Sequence, residues 1–342
     1  MDYFDLTPAS VPSSNSSGSS NSTGRGRGPP GHNPTQLQHA LISLADGQDD
    51  HATPVSTPLD GPGVTTSIST AFHPSLSIDD ANPDVVLVSV DGVHFYTHRH
   101  RLLAISSNRM GNLLPSPGAV VSPPLLAVVP VPHPSEVVNV LLHIIYGLSC
   151  AQYLPTLETV EAAVDSLSLL YGVSVAALAA PGMPLFTLIH SFAPVRPLDA
   201  YALAAHHAME DLAVTISSHL LAYNLARLPD TAAEKMGPIY LKRLFLLHQS
   251  RIVALRNILF KPPAVHLPVT GCGQENQQMM MRAWALAVAQ LVWDVLPSVS
   301  TSALQALLEP IGASMNCPLC IAALQCRVQE VVYEWSAVKR TI

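Results

Sequence analysis

The chain changes character near residue 80, and that break constrains its fold more than any other feature. Residues 1–80 are dominated by Ser, Pro, Gly, Thr and Asn, as in VPSSNSSGSSNSTGRGRGPPGHNPT, with Arg25 and Arg27 as their basic residues. A segment of this kind buries too little apolar area to offset the entropy of ordering it. Residues 1–80 are therefore expected to be a disordered tail, relieved by a short apolar stretch, Leu37 to Leu44, that reads as a transient helix. The 262 residues that follow (342 less 80) are apolar and nearly neutral, and enough to build a substantial core. Charged residues make up 12% of the whole chain, about half the usual ~25%. So little surface charge suggests that a partner or a second copy covers part of it. The formal net charge of −7 argues against direct binding of nucleic acid, whose affinity comes from neutralising phosphates with Lys and Arg.

The first residues, MDYFDLTPAS, lack the basic-then-apolar pattern of a secretory leader. Five cysteines, an odd number, fit free or metal-bound thiols in a reducing compartment, so a cytoplasmic or nuclear location is expected. The mean hydropathy of +0.30 raises the question of a membrane span. The uncharged run between Asp165 and Arg196 is split by Pro181 and Pro184. It reads as a pair of short buried helices, and no membrane association is expected.

Order is expected to begin near Asn82. The run DVVLVSVDGVHFYTH has a continuous β-branched stretch, then Asp91-Gly92, then Val93 to Tyr96, which is a hairpin pattern. A helix with Leu102, Leu103 and Ile105 on its apolar side follows, then a Pro-rich loop, then a second strand candidate at Leu125 to Val131. Beyond this the periodicity is helical. Val137, Val138, Leu141, Leu142 and Ile145 share a face, with Ser135 as the expected cap. Further helices are predicted at about 157–171, 198–208, 212–227, 238–260, 280–296, 301–309 and 318–339, with Thr231 and Glu234 at capping-box spacing. In the last helix Ile321, Leu324, Val328, Val331, Trp335 and Val338 form a heptad seam too short to argue for a coiled coil, so it is read as core.

The stretch from Asp84 to Leu114 resembles the opening of a BTB/POZ domain. An Asp precedes a hydrophobic strand. A hairpin with Phe95, the pair His98-Arg99, a helix with Leu102-Leu103, Ser106 or Ser107, and Leu113-Leu114 follow in order. A strand ending in Val-Pro-Val-Pro, a helix closing on Ile144-Ile145-Tyr146-Gly147, and the Leu157–Tyr171 helix continue the likeness over about residues 82–180. Residues 82–342, with PIYLKRLFLLH, RAWALA and the terminal VKRTI, are similar to a large group of fungal BTB-domain proteins with a long helical C-terminal region. The resemblance implies an α+β, mostly helical chain: a BTB/POZ fold at 82–180 and an all-α C-terminal domain at 181–342. It implies a homodimer or a heterodimer with another BTB chain. It also implies that Asp84, Arg99 and His98 line a charged pocket beside the dimer groove. A plain structural ion pair between Asp84 and Arg99 is the equal alternative, since an Arg fork suits a carboxylate. Adaptors that recruit cullin 3 usually carry a hydrophobic-x-Glu motif in the loop before the second-half strand. Here that loop, Gly111 to Pro124, has no acidic residue.

Cys317-Pro-Leu-Cys320 has zinc-knuckle spacing. Its remaining ligands are sought in the loop PPAVHLPVTGCGQ, where His266 and Cys272 would complete a closed, structural Cys₃His zinc site if the intervening helices form a hairpin. The alternatives are a set of small buried thiols, or a redox role for the CxxC, which the lack of a surrounding thioredoxin-like βαβ pattern argues against. His94, His98 and His100 need not converge, and His98 is expected to support the hairpin or helix start by hydrogen bonding. His206 and His207 are expected to be one exposed and one buried. GxSxG, GxxxxGK[ST], HExxH and a strand-linked GxGxxG are all missing. The BTB resemblance implies a non-enzymatic interaction scaffold. A cullin-3 substrate adaptor or a transcriptional co-regulator without its own DNA-binding module is the alternative.

Overall fold

A computed structural model describes residues 66–78, 81–114, 126–293 and 296–342. Four strands, β1 (Ser67–Ile68), β2 (Val85–Val88), β3 (Val93–Thr97) and β4 (Ala127–Pro130), form one mixed sheet in the order β1-β3-β2-β4. β2 pairs antiparallel with β3, Val85 opposite Thr97, and parallel with β4, Val85 opposite Ala127. Successive side chains Val85, Val86 and Leu87 are all buried, so both faces of β2 are covered, which explains why its sequence is a continuous apolar run rather than an alternation. The hairpin turns at Asp91-Gly92 as the sequence predicts. Gly92 takes a φ of +80°, where a side chain would be strained.

The tail expected to reach residue 80 stops short of that. Ser67 and Ile68 pair in parallel with Val93 and His94. Phe72 is fully buried, its ring 5.2 Å from His143, 5.3 Å from Tyr146 and 6.4 Å from Phe95. A single buried aromatic contributes enough apolar area to order a short segment that average composition assigns to a tail. Residues 1–65, with Arg25, Arg27 and Leu37–Leu44, lie outside the described residues, as does most of the Pro-rich loop.

Two helices that follow the hairpin are capped by its carboxylates. α1 (Arg99–Ile105) begins with the Arg99 N–H donating to Asp84 Oδ1 at 2.7 Å. α2 (Ser135–Tyr146) has Pro134 at its cap position, and Ser135, expected there, is its first helical residue. Its backbone N–H donates to Asp91 Oδ1 at 2.9 Å and its hydroxyl to Asp91 Oδ2 at 2.5 Å. The cap thus comes from a turn distant in sequence, which local spacing could not reveal.

α3 (Leu157–Asp165) starts from a Thr156 cap and runs on into a wider π turn at Ser166–Leu170. α4 (Val175–Leu178) and α5 (Pro184–Phe192) are the short pieces separated by Pro181 and Gly182. No described helix is long and apolar enough to cross a membrane. α6 (Pro197–His206) and α7 (Glu210–Ser217) lead to α8 (Asp230–Leu259), which breaks at Gly237 (φ +72°) and restarts at Pro238. Thr231 and Glu234 lie inside its first turns rather than at a cap, because the helix already begins at Asp230. α9 (Gln274–Trp293), α10 (Thr301–Leu308) and α11 (Pro318–Ser336) complete the order. The chain is therefore α+β and mostly helical, with one small mixed sheet.

The apolar interior has two parts. The first holds the sheet and α2 to α7, and reaches Met236 and Leu244 of α8. The second gathers Leu255, Ile258 and Leu259 of α8 with Trp284, Leu304, Leu324, Val331 and Trp335. The boundary expected at 180/181 falls inside the first core, where Val175, Ala179, Leu185 and Ile189 belong to one cluster. The two apolar clusters meet along α8, within one compact unit. α6 explains the difference: Ala200 to Ala205 are all buried, so this helix is apolar around its circumference and is enclosed by its neighbours. The α11 seam packs as core, as expected.

Candidate metal centre

The loop after α8 and the start of α11 carry the ligating residues. Val269 and Cys272 close a tight turn, their backbones exchanging hydrogen bonds of 2.9 and 3.2 Å around Gly271 at φ +85°. This turn aims Cys272 inward. Cys317 occupies the cap position of α11, Pro318 its first helical position, and Cys320 lies one turn on. Proline there costs nothing, because the first N–H has no partner within the helix.

Four ligand atoms converge. His266 Nε2 lies 3.3 Å from Cys320 Sγ, 3.4 Å from Cys317 Sγ and 3.5 Å from Cys272 Sγ. Cys272 and Cys320 are 3.6 Å apart, sulfur to sulfur. All four atoms lie within 4.8 Å of one another, a set that can hold a metal ion. The imidazole is fixed for that role. Its Nδ1–H donates to the Leu267 carbonyl at 2.7 Å, which leaves the Nε2 lone pair facing the sulfurs. Gln277, buried on α9, donates to the His266 carbonyl at 2.7 Å and holds the loop in place.

The thiols pull against each other without a cation. The Cys320 N–H, at the start of α11, draws the Cys317 thiol down to about 7, against the opposing effect of burial. Burial, then the neighbouring thiols, push Cys320 up to about 12, and burial raises Cys272. A divalent cation reverses this conflict by favouring every thiolate at once. The other thiols are elsewhere: Cys150 is buried in the first core and Cys326 is exposed beside Glu330.

Asp84, His98 and Arg99 meet at the start of α1. Asp84 is exposed, its carboxylate accepting from the Arg99 backbone. His98 is buried. Its Nε2 lies 3.1 Å from the Ala81 carbonyl, and its Nδ1 and backbone N–H are 3.1 and 2.8 Å from the Tyr146 hydroxyl. The ring therefore ties the end of the hairpin to the end of α2, a supporting role. His94 and His100 form no metal-ligating group with it among the described residues.

Sequence reasoning missed a second cluster. Asp165, His206 and His207 come together where α3 meets α6. His207 is buried and His206 exposed, as the sequence predicts. His207 Nε2 donates to Asp165 Oδ1 at 2.6 Å. Burial opposes the Asp165 carboxylate, yet this hydrogen bond, with the charges of His207 and Lys235, holds it below its ordinary value. The 42 residues between the partners left no sequence signal. Two buried arginines had one: each stands in an apolar stripe. Arg251 donates to the carbonyls of Pro297, Val338 and Lys339. Arg327 donates to those of Ile258 and Lys261 and pairs with Glu330 and Glu334.

No protein-family model, curated protein or solved structure matches this chain.

Proposed function

We propose that the chain is a non-enzymatic protein–protein interaction scaffold, with a BTB/POZ-like first unit that pairs with a second copy or another BTB chain, and a helical region pinned by zinc. The Cys₃His convergence carries this reading. Tetrahedral zinc, at ~2.3 Å from sulfur and ~2.0 Å from nitrogen, sets its ligands about 3.5 to 3.8 Å apart. The spacings of 3.3, 3.4, 3.5 and 3.6 Å lie close to this, and all four atoms are within 4.8 Å of one another. Four protein ligands leave no open position for a substrate, the arrangement of structural rather than catalytic zinc. The ion supplies charge and cross-linking. The residues around it hold the His266 tautomer, aim Cys272 and anchor the start of α11.

Support for partner binding comes from the surface of the second core. Leu286, Gln290 and Trp293 follow on one face of α9, with Leu286 73% and Trp293 89% exposed. Beside them a cavity of about 300 Å³ is lined by Ala287, Leu291, Leu296, Val299 and Leu307. Exposed apolar residues around a concavity fit a partner site. The order of motifs from Asp84 to Leu114, and the closing Tyr146-Gly147, support the BTB-like half.

Elemental analysis of full-length protein kept from chelators should find about one zinc per chain, and light scattering should give a dimer mass. A folded chain without metal sinks the pinned scaffold, and a monomer sinks the pairing. Affinity purification with mass spectrometry tests the surface: Leu286→Glu with Trp293→Glu should lose specific partners while keeping the zinc. An unchanged partner set sinks that assignment. Recovery of cullin 3 would move the reading to a ubiquitin-ligase adaptor, despite the loop at 111–124 having no acidic residue.

A further inference from the structure

The Cys₃His set is not equally shielded on its sides. A cavity of about 180 Å³ is lined by Gly271, Asn276, Ser314, Asn316, Cys317 and Cys320. His266 and Cys272 do not line it. The cavity could hold a few small polar molecules, at about 30 Å³ each. Asn276, Ser314 and Asn316 offer them hydrogen-bond donors and acceptors. Cys317 and His266 are partly exposed, whereas Cys272 and Cys320 are buried. A closed structural site would be expected to exclude such an approach, and here the cavity opens onto its CxxC side.

We infer that Cys317 is an oxidation site for hydroperoxides, and that its oxidation ejects the metal by closing a Cys317–Cys320 disulfide. The inference rests on the zinc reading above and assigns a regulation to the same site. A hydroperoxide entering the cavity reaches the sulfur of Cys317. The sulfur attacks one peroxide oxygen, the O–O bond breaks, and the departing hydroxide takes a proton to leave as water. Cys317 becomes a sulfenic acid and loses its hold on the ion. The thiolate of Cys320 then attacks the Cys317 sulfur, and the S–O bond breaks with release of a second water after protonation. In sum, two thiolates give up two electrons, hydrogen peroxide with two protons takes them as two waters, and the ion departs. The two cysteines stand one turn apart at the start of α11, within the Cα separation a disulfide accepts. His266 and Cys272 remain as a pair too small to hold the ion.

The experiment uses the full chain after its zinc content is measured, treated with hydrogen peroxide and followed by a zinc-sensitive dye and by peptide mass spectrometry. The expected result is release of the bound zinc with a loss of two mass units in the Ala283–Arg327 tryptic peptide, the bond mapped to Cys317 and Cys320. Ser314→Phe, which fills the cavity from a residue that holds no metal, should keep the zinc and slow its release at least tenfold. Zinc retained under peroxide, a disulfide that cross-links Cys272 to Cys320 instead, or release at an unchanged rate in Ser314→Phe overturns the inference and leaves the structural zinc standing. A chain that binds no zinc removes both.

Discussion

The guanidinium of Arg251 lies over the ring of Trp335, its central carbon 4.2 Å from the ring centroid, while its nitrogens donate to three carbonyls. A cation buried to this degree is tolerated because one face lies against the aromatic ring and its rim donates to main-chain oxygens. The carbonyls of Val338 and Lys339 bring the end of α11 back against the middle of α8.

Arg251→Met removes the donors and leaves those oxygens unsatisfied. It should lower stability by about 3 kcal/mol, measured by denaturant unfolding. Arg251→Lys should recover less than half of that loss, because an ammonium cannot reproduce the fork. Full recovery by lysine would show that charge alone matters.

Tryptophan fluorescence can isolate one half of the molecule. The three tryptophans are Trp284, Trp293 and Trp335, all on α9 or α11. Chelation, or Cys272→Ser, should shift the fluorescence-detected transition to lower denaturant. The transition detected by near-UV signals of Tyr171 and Tyr201, fully buried in the first core, should move less. Coincident shifts in both would mean that the two cores unfold as one unit.

Acid should weaken the fold before any carboxylate is protonated. Burial holds the imidazoles of His133, His143 and His248 below their ordinary value of 6.5. The unfolded chain takes up these protons first, so the stabilisation is complete above about pH 6.5 and is lost as pH falls through the lowered folded values. The unfolding midpoint should drop between pH 7 and 5. His248→Gln, which can still donate to the Leu220 carbonyl reached by His248 Nε2 at 3.0 Å, should flatten that slope. A slope unchanged by the variant would assign the effect to the other two.

Asp91 should matter at lower pH. Burial works against its carboxylate, but hydrogen bonds from Ser135 and Ser89 hold it below its ordinary value. Its contribution is present above about pH 4 and fades as pH falls through the lowered value. Asp91→Ala should cost about 1 kcal/mol at pH 7 and nothing near pH 2. Ser135→Ala, which keeps the backbone donor, should cost less.

Much of this architecture was legible because its signals are local. The β2–β3 hairpin follows from a β-branched run and Asp-Gly. The four side chains that could hold a metal were legible as residue types with a characteristic spacing, though only folding could bring the two halves together. What was hidden depends on distant pairing. Phe72 sits in a segment whose average composition is that of a tail, and its burial depends on His143 and Tyr146. Asp91 caps a helix that starts 44 residues later. The meeting of the two apolar clusters along α8 was hidden because Leu244 and Leu255 lie on one buried helix face, which also carries His248 and Arg251.

The two halves of the ligand set are far apart along the chain: Cys272 and Cys320 are separated by 48 residues. An ion gripping both closes a ring of main chain that contains α9 and α10 entirely. A covalent link across a ring of this length would remove about 4 kcal/mol of unfolded-state entropy, and a tightly held ion acts in the same sense. While the ring is shut, neither helix can peel away and drift off. Once it opens, the surface around Trp293 loses the tether that keeps it shaped, so on the proposed reading the ion's presence would decide whether a partner meets a formed face or a loose one.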